Sequence, residues 1–486
     1  MSTPPARLTF RLASTLAMGA ALLAASAHAA PDVAQLSRQI ERLTERLQQL
    51  EQRNRQLEER LSAAVPAPSV PPVAVPAPAP VAASAPASPA ATGTVAVVEP
   101  EEEAGVQIEG SIVGVMQRTA RASAADHETL SRANYRGDVT LALPMGQLSG
   151  WGEAKLDGFG HVRFGQGTGL ALRPTYTATG NSVAFESAGG SDETYAIVAQ
   201  AWVQATWPMG GSGLNDQPGN RVELTVGKMD MFGFFDQNNV AADEASQFLN
   251  NAFVHNPLLD SGGDIAADAY GLAPGLRLAW IDEGEDRGWG WGLSAGVFGS
   301  GAGANFNGGL GRPMVIVQAE IIPKQINGEA RGAFRLYGWT NGHTTDLLGA
   351  EQRHSGWGLS VDHKVGRDWN LFGRYGQRTQ GDAAFNKALT VGFEHGGRAW
   401  GRGHDALGVA VGWLRTSSAW QSATLADPTL VGYTASGSER LAELYYRMKL
   451  SDKIELTPDV QIIQRPGGDD QARRVTLWGL RAAIGF

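Results

Sequence analysis

The chain has 486 residues, including 62 Gly, 24 Pro, 13 Trp and no Cys, and its net charge is −9. The acidic balance excludes a nucleic-acid partner, because phosphate neutralisation needs a basic surface. The absence of cysteine excludes disulfides, a thiolate metal site and a lipidated N-terminal Cys. A charged fraction of only 18% with abundant Gly and Trp is typical of an all-β chain.

Residues 1–30 are predicted to be a signal peptide. Arg7 and Arg11 precede an uncharged apolar stretch, and the run AHA before Ala30 has the small residues that signal peptidase requires. A membrane anchor, the alternative, needs a longer stretch with less Ala and Ser. The pattern therefore predicts export from the cytoplasm.

Residues 31–62 are predicted to form a parallel coiled coil. Leucines occupy the d positions, and the a positions are Val33, Ile40, Leu47, Asn54 and Leu61. A single buried Asn54 fixes register and oligomeric state in such a seam. The alternative, a single amphipathic helix packed on the domain that follows, would not explain Asn54. We therefore expect a homo-oligomer in which the coil lies in the periplasm, with a dimer favoured and a trimer open.

Residues 63–104 are predicted to be a Pro/Ala-rich linker. The run VPAPSVPPVAVPAPAPVAASAPASPAA cannot bury a core and favours extended polyproline conformers. A spacer between the coil and the following domain explains this composition more simply than a partner-binding PxxP motif.

Residues 105–486 are predicted to form a transmembrane antiparallel β-barrel. In WGWGLSAGV the residues Trp289, Trp291 and Leu293 share one face, and small residues occupy the other. Segments of about ten residues with one apolar face and aromatic ends are typical of outer-membrane barrels. A soluble β-sandwich also alternates, but it has no single core for so many apolar faces. We count about sixteen strands, starting near residues 107, 134, 148, 195, 220, 273, 289, 313, 330, 355, 368, 386, 405, 439, 453 and 474.

The last predicted strand ends the chain on an aromatic residue. In VTLWGLRAAIGF, Ile484 and Phe486 lie on one face with Trp478. A terminal Phe with apolar residues alternating behind it resembles the signal that the barrel assembly machinery recognises. The expected location of the barrel is the cell outer membrane, in contact with its lipid.

Catalytic motifs are weak in this chain. Gly292-Leu-Ser294-Ala-Gly296 matches the nucleophile-elbow pattern, which needs a strand, a turn and a helix. It lies inside an alternating strand instead, so we expect no catalytic residue. The histidines are scattered and DEGEDRG fits a solvated turn better than a Ca²⁺ site, so we expect neither a metal nor another cofactor.

The inward-facing residues of the predicted strands carry both charge signs. Arg374, Arg378 and Arg447 are basic, whereas Glu443 and Asp459 are acidic. A strongly ion-selective pore has rings of one sign. A mixed lining with amides and aromatic rings suits neutral polyhydroxylated solutes, whose hydroxyls pair with all of these groups.

One long polar stretch interrupts the strand pattern. GKMDMFGFFDQNNVAADEASQFLNNAFVHNP, residues 227–257, resembles the signature of the OprB-type carbohydrate-selective porins. The matching positions are Phe235, Asp236, Asn238, Gln247, Phe248, Leu249 and Asn250. The resemblance implies a sixteen-stranded outer-membrane barrel through which small sugars diffuse passively, constricted by loops folded inward. Ala242 stands where members of the family typically have Asn.

Helical spacing within this stretch agrees with an inward fold. We expect a short helix over ADEASQFLNNAF, with Phe248, Leu249 and Phe253 on the barrel wall and Gln247 and Asn250 facing water. An extracellular loop folded on itself is the alternative. The candidate residues for the constriction or for sugar contact are Phe235, Asp236, Asn238, Gln247, Asn250, Arg374, Arg378, Glu443, Arg447 and Asp459.

The predicted function is passive sugar diffusion across the outer membrane, without covalent chemistry. A general, non-selective porin is one alternative. A second is an envelope tether, in which the coiled coil contacts peptidoglycan and the pore is incidental. A third, an outer-membrane hydrolase, would depend on a Ser or His that the sequence does not single out.

Overall fold

The structure is a computed structural model of the chain. It describes residues 105–119, 130–148, 150, 153–170, 179–185, 193–209, 219–284, 288–301, 304, 306, 310–324 and 331–486. The predicted signal peptide (1–30), the coiled coil with Asn54 (31–62) and the linker (63–104) lie outside the described residues.

Sixteen antiparallel strands close into one barrel, in which each strand pairs with its neighbours in the chain and β1 pairs with β16. Closure leaves no strand edge unpaired, which a hydrocarbon environment requires. The predicted sixteen-stranded antiparallel barrel is therefore confirmed. The strands are β1 (Gln107–Thr119), β2 (Ser131–Leu148), β3 (Ala154–Gly167), β4 (Tyr195–Pro208), β5 (Asn220–Met229), β6 (Ala273–Asp282), β7 (Trp289–Phe298), β8 (Met314–Pro323), β9 (Gly332–Thr345), β10 (Glu351–Val365), β11 (Trp369–Gln380), β12 (Phe385–Gly396), β13 (Ala406–Thr416), β14 (Ser438–Ser451), β15 (Ile454–Gln464) and β16 (Val475–Gly485).

The alternation of each strand separates an apolar outer face from a polar inner face. On β7, Leu293 is 51% exposed on the outside, whereas the neighbouring Ser294 is 9% exposed and faces the lumen. On β11, Leu371 lies outside and Arg374 inside. Apolar residues exposed all around a closed barrel are the lipid-facing band of a membrane barrel. No helix among the described residues is long and apolar enough to cross a membrane.

The third strand starts later than the sequence predicts. Residue 148, an expected strand start, is the last residue of β2, and β3 begins at Ala154. The reason is a pairing irregularity between Pro144 and Gly146, where Gly146 takes a φ of +84°. This bulge lets the pairing of β2 with β3 continue past Pro144 to Leu148.

Helical segments are short in the described part of the chain. The α-helices are α1 (Asn251–Val254) and α2 (Ser418–Ala426), and the 3₁₀ segments are Met231–Gly233, Gly397–Trp400, Pro428–Leu430 and Pro466–Gly468. Ser417 caps α2 by accepting a hydrogen bond from Trp420 N. All of these segments connect strands.

The C-terminal residue extends the pairing between β1 and β16, where the barrel closes. Phe486 N donates to Gly110 O (2.9 Å), and Gly110 N donates to Phe486 O (3.1 Å). A Cβ on Gly110 would lie 2.3 Å from the Phe486 ring. The glycine therefore makes room for the terminal ring. Recognition of Ile484 and Phe486 by the assembly machinery stays a prediction.

Gly110→Val is expected to displace the Phe486 ring and to lower the free energy of unfolding by about 1 kcal/mol, as overpacking does. The urea midpoint of the refolded barrel, followed by heat-modifiable gel mobility, measures this change. Gly485→Ala is the control, because nothing lies within 4 Å of its Cβ position. Equal midpoints for the two variants would contradict the steric role of Gly110.

Candidate functional site

Residues 230–272, which join β5 to β6, fold into the barrel, and we call them the insert. Its aromatic rings pack on the inner wall. Phe248 lies 4.9 Å from the Tyr445 ring and 5.4 Å from the Phe372 ring, centroid to centroid. Phe235 meets Phe298 of β7 edge to face at 6.1 Å. Phe235 and Phe248 are fully buried, so the insert has a dry contact with the wall.

Asp236 attaches the insert to β9 and β11. Its Oδ1 accepts hydrogen bonds from Tyr337 Oη (2.7 Å) and Arg374 Nε (3.1 Å). Its Oδ2 accepts from the backbone N–H of Asn256, within the insert, at 2.6 Å. The Asp236 and Arg374 side chains are completely buried. Arg374 also donates to three insert carbonyls, those of Asp236, Ala241 and Phe253.

Asn238 attaches the same part of the insert to β10. Its Nδ2 donates to Val361 O at 3.1 Å. Its Oδ1 accepts from the backbone N–H groups of Val240 and Ala241. One amide thus shapes the turn and ties it to the wall.

Asp264 holds the end of the insert against β9, β10 and β11. Its carboxylate accepts hydrogen bonds from Trp339 Nε1 (3.0 Å), His354 Nδ1 (2.7 Å) and Arg378 Nη2 (2.6 Å). Burial acts to raise the pKa of Asp264, but the Arg378 charge and the His354 hydrogen bond outweigh it and lower the pKa below its ordinary value. The charged form is therefore the one that holds the insert.

Acid is expected to weaken this attachment. Because the pKa of Asp264 is lower in the folded state, its stabilisation is complete above the ordinary carboxyl pKa of about 3.9 and disappears as the pH falls through the lowered value. The part of the single-channel conductance that Asp264 controls, measured in planar bilayers as the difference between wild type and Asp264→Asn, should be constant from neutral pH to about pH 4 and should shrink below it. Asp264→Asn should show the raised conductance already at neutral pH. An Asp264→Asn variant with the conductance of the wild type at neutral pH, and with the same increase in acid, would refute this role.

Glu443 attaches the middle of the insert to β14. Its two carboxylate oxygens accept the backbone N–H groups of Leu249 (2.6 Å) and Asn250 (2.9 Å). Asn250 Nδ2 donates to Gln461 Oε1 on β15 at 3.1 Å. Gln461 Nε2 donates in turn to Asp459 Oδ1 at 3.0 Å. This side of the insert is thereby bonded to a second sector of the wall.

Only the last three residues of the stretch ADEASQFLNNAF are helical, as the start of the four-residue α1. Glu443 takes the N–H groups of Leu249 and Asn250, which an α-helix would give to carbonyls four residues earlier. Gln247 Oε1 accepts the N–H groups of Ala242 and Asp243, which have no intrahelical acceptor in the first turn of a helix. Glu443, a partner from the tertiary fold, replaces the helical hydrogen bonds at residues 249–250.

Three arginines add contacts around the polar turn at residues 243–247. Arg136 of β2 donates to Glu244 Oε1 at 2.5 Å. Arg481 of β16 donates to the carbonyls of Glu244 and Gln247, both at 2.8 Å. Arg447 of β14 donates to Ser246 O at 3.0 Å. The insert is therefore bonded to strands from β2 and β14–β16 as well as from β9–β11.

The structure changes the interpretation of most candidate residues. Asn250, expected to face water, is 1% exposed because it lies between the insert and Gln461, so that expectation is wrong. Gln247 and Arg447 are partly exposed. Eight candidates are buried, and their contacts are with the insert or its supporting wall: Phe235, Asp236, Asn238, Asn250, Arg374, Arg378, Glu443 and Asp459.

Sequence reasoning missed several residues of the attachments. Tyr337 and Trp339 alternate on the inner face of β9, in RLYGWTN, where their hydroxyl and indole N–H reach the insert. Asp264 lies beyond the stretch that resembles the porin signature. A polar residue on the inner face of a strand was the available signal, but it does not say which residue of the insert is its partner.

The described residues contain no group of three or more His, Asp or Glu side chains that could hold a metal ion. A family model described as "Carbohydrate-selective porin, OprB family" matches residues 131–486. The chain belongs to this family. The porin is thus an outer-membrane channel with a closed β-barrel, and Ser294 lies within the unbroken strand β7. No curated protein sequence matches the chain.

Solved structures with a similar fold include the high-pH structure of Pseudomonas putida OprB, with a TM-score of 0.62 at 16% identity over 79% of this chain and 94% of that one. The low-pH structure of the same protein has a TM-score of 0.42 at 13% identity, covering 79% and 93%. The outer-membrane channel DcaP of Acinetobacter baumannii has 0.45 at 11%, covering 80% and 99%. At 16% identity, the similarity to the high-pH structure of OprB shows only that the two proteins share a fold.

Proposed function

We propose that this porin lets small carbohydrates diffuse passively through a lumen that the insert constricts. The observation that carries the proposal is attachment of the insert to separate sectors of the wall. Asp236 bonds to β9 and β11, whereas Glu244 bonds to Arg136 of β2 on the other side of the closed barrel. A segment held at both places crosses the lumen and narrows it. The family supports a carbohydrate as the solute.

The charges of the wall support a neutral solute. Arg277 pairs with Glu223 at 2.7 Å, and Arg335 pairs with Asp362 at 2.8 Å and with Glu320 at 3.2 Å. In the same way Arg447 pairs with Glu394. Charges compensated within the wall present no ring of one sign, which strong ion selectivity needs.

Solute flux through the purified protein in liposomes tests the proposal. Glucose-class sugars should enter faster than anions or amino acids of similar size. Liposome swelling measures both rates in the same preparation, and liposomes without protein give the background. Equal entry rates for sugars and for anions or amino acids would show that the protein is a general, non-selective porin.

For the N-terminal residues we propose a periplasmic coiled coil that links copies of the barrel. The support is the heptad pattern around Asn54. Deletion of residues 32–62 should abolish oligomers while uptake through each barrel continues. Loss of envelope integrity with unchanged oligomers would favour the tether to peptidoglycan instead.

A further inference from the structure

Among the aromatic rings that remain partly exposed on the inner side of the barrel, two lie next to each other: Trp202 of β4 and Phe234 of the insert. Their ring centroids lie 5.8 Å apart, edge to face. Rings elsewhere beneath the insert, such as Phe248 and Phe253, are completely buried. An apolar ring surface left against an aqueous lumen is unfavourable unless something covers it. We call Trp202 and Phe234 the aromatic pair.

Neighbouring side chains hold each ring of the pair in place. Phe159 of β3 stacks on Trp202, with centroids 4.9 Å apart and planes at 24°. The Trp202 indole N–H donates to Gln200 Oε1 at 3.3 Å. The Arg277 guanidinium lies 5.0 Å from the Phe234 ring centroid and is fixed by Glu223. Both rings are thus supported before any solute arrives, which lowers the entropic cost of binding.

Polar groups of β4 and of the neighbouring strand β5 lie near the aromatic pair. Gln204, two residues from Trp202 on the inner face, is partly exposed, and its Oε1 accepts a hydrogen bond from Thr225. That bond orients the amide, whose Nε2 donates one hydrogen to Thr206 Oγ1 at 3.4 Å and keeps its second hydrogen for a solute. Glu223 of β5 is 7% exposed and is engaged by Arg221 and Arg277, so its part is to fix Arg277 beside Phe234. An apolar surface bordered by a few fixed polar groups is the usual form of a small-molecule site.

We propose that Trp202 and Phe234 form a stacking site for the pyranose ring of a permeating sugar, with Gln204 pairing with one of its hydroxyls. The apolar C–H face of a pyranose covers aromatic carbon, while its equatorial hydroxyls point outward to the polar border. A flexible acyclic polyol has the same hydroxyls but no rigid C–H face. The site rests on the proposed sugar-porin function and adds selection for the cyclic form.

Current block in planar bilayers tests the site, with glucose and the acyclic hexitol sorbitol as two solutes of similar size. In the wild-type protein glucose should half-block the ion current at a lower concentration than sorbitol. Trp202→Leu should raise the half-blocking glucose concentration about fivefold, the change expected from losing one aromatic contact. Trp202→Phe should retain part of the preference. Phe234→Leu, which changes the insert rather than the barrel, should act in the same direction.

Trp280→Leu is the matched control, because Trp280 lies on the outer face and is 45% exposed. It should leave both half-blocking concentrations unchanged. Heat-modifiable mobility and an unchanged ion conductance show that each variant has folded. If Trp202→Leu does not fold, the comparison of wild type, Trp202→Phe and Phe234→Leu decides the question alone.

The outcomes separate this site from the proposed function. Wild-type protein that admits glucose no faster than size-matched anions would overturn sugar selectivity itself. The stacking site alone would be overturned if the wild type selects sugars but the ratio of the half-blocking concentrations of glucose and sorbitol is the same in Trp202→Leu and Phe234→Leu as in the wild type. A parallel loss of block by both solutes would also overturn it, since stacking acts on the cyclic sugar alone.

Discussion

Asp236→Ala is expected to raise the single-channel conductance severalfold and to reduce the preference for sugars over small ions. Removing this carboxylate leaves Arg374 charged and buried without its partner, which costs about 3–5 kcal/mol. Tyr337 and the Asn256 N–H lose their acceptor as well. The barrel keeps its strand pairing, so the cost falls on the docking of the insert. Conductance in planar bilayers and sugar flux in liposomes measure the two effects.

Asp382→Ala provides the control for the loss of an aspartate. Asp382 lies between β11 and β12, is exposed, and makes its recorded hydrogen bond through its backbone N–H. It should leave conductance and sugar flux unchanged. An unaltered conductance in a folded Asp236→Ala barrel would show that Asp236 does not hold the insert in the lumen.

Glu443→Ala is the second large change, because it removes the acceptor of two buried backbone N–H groups. Each unsatisfied group costs about 1–3 kcal/mol, and both costs fall on residues 249–250 of the insert. The conductance should rise, as it does for Asp236→Ala. The double variant should exceed the sum of the two increases, since either attachment alone still keeps part of the insert in place.

Glu455→Ala is the matched control on β15. Glu455 also faces the lumen and is partly exposed, so its removal changes the charge of the wall without changing these backbone hydrogen bonds. A double variant that conducts no better than Asp236→Ala alone would show that Glu443 does not restrain the insert. Strictly additive increases would show that the two attachments act independently.

Both predictions reassign residues that the sequence marks as candidates for sugar contact. Asp236 and Asn250 belong to the stretch that resembles the porin signature, but both are 1% exposed. A sequence motif that positions a segment and one that contacts the solute can contain the same residues, so the sequence alone does not distinguish the two roles. Burial distinguishes them, and burial depends on partners such as Tyr337 and Gln461 that lie far away in the chain.

The strand order of the barrel was predictable because its information is local. Alternation such as that of β7, with Leu293 outward and Ser294 inward, depends only on adjacent residues and on the contrast between lipid and lumen. Short connections then leave antiparallel neighbours as the simplest pairing. The sequence failed at residue 148, where the bulge at Gly146 carries β2 past Pro144. A bulge is a property of the paired strands together.

By itself, the sequence determined the barrel, the inner and outer faces of its strands, and the stretch that interrupts them. Only the tertiary structure decided what that stretch does with its polar residues. Residues 243–250 have helical spacing, yet Glu443 takes the N–H groups of Leu249 and Asn250 that a helix would use. Glu443 is separated from Leu249 by 194 residues, and closure of the barrel brings them together. Hydrogen bonds between such distant residues outweigh a local preference, because unpaired buried N–H groups cost more than a short helix contributes.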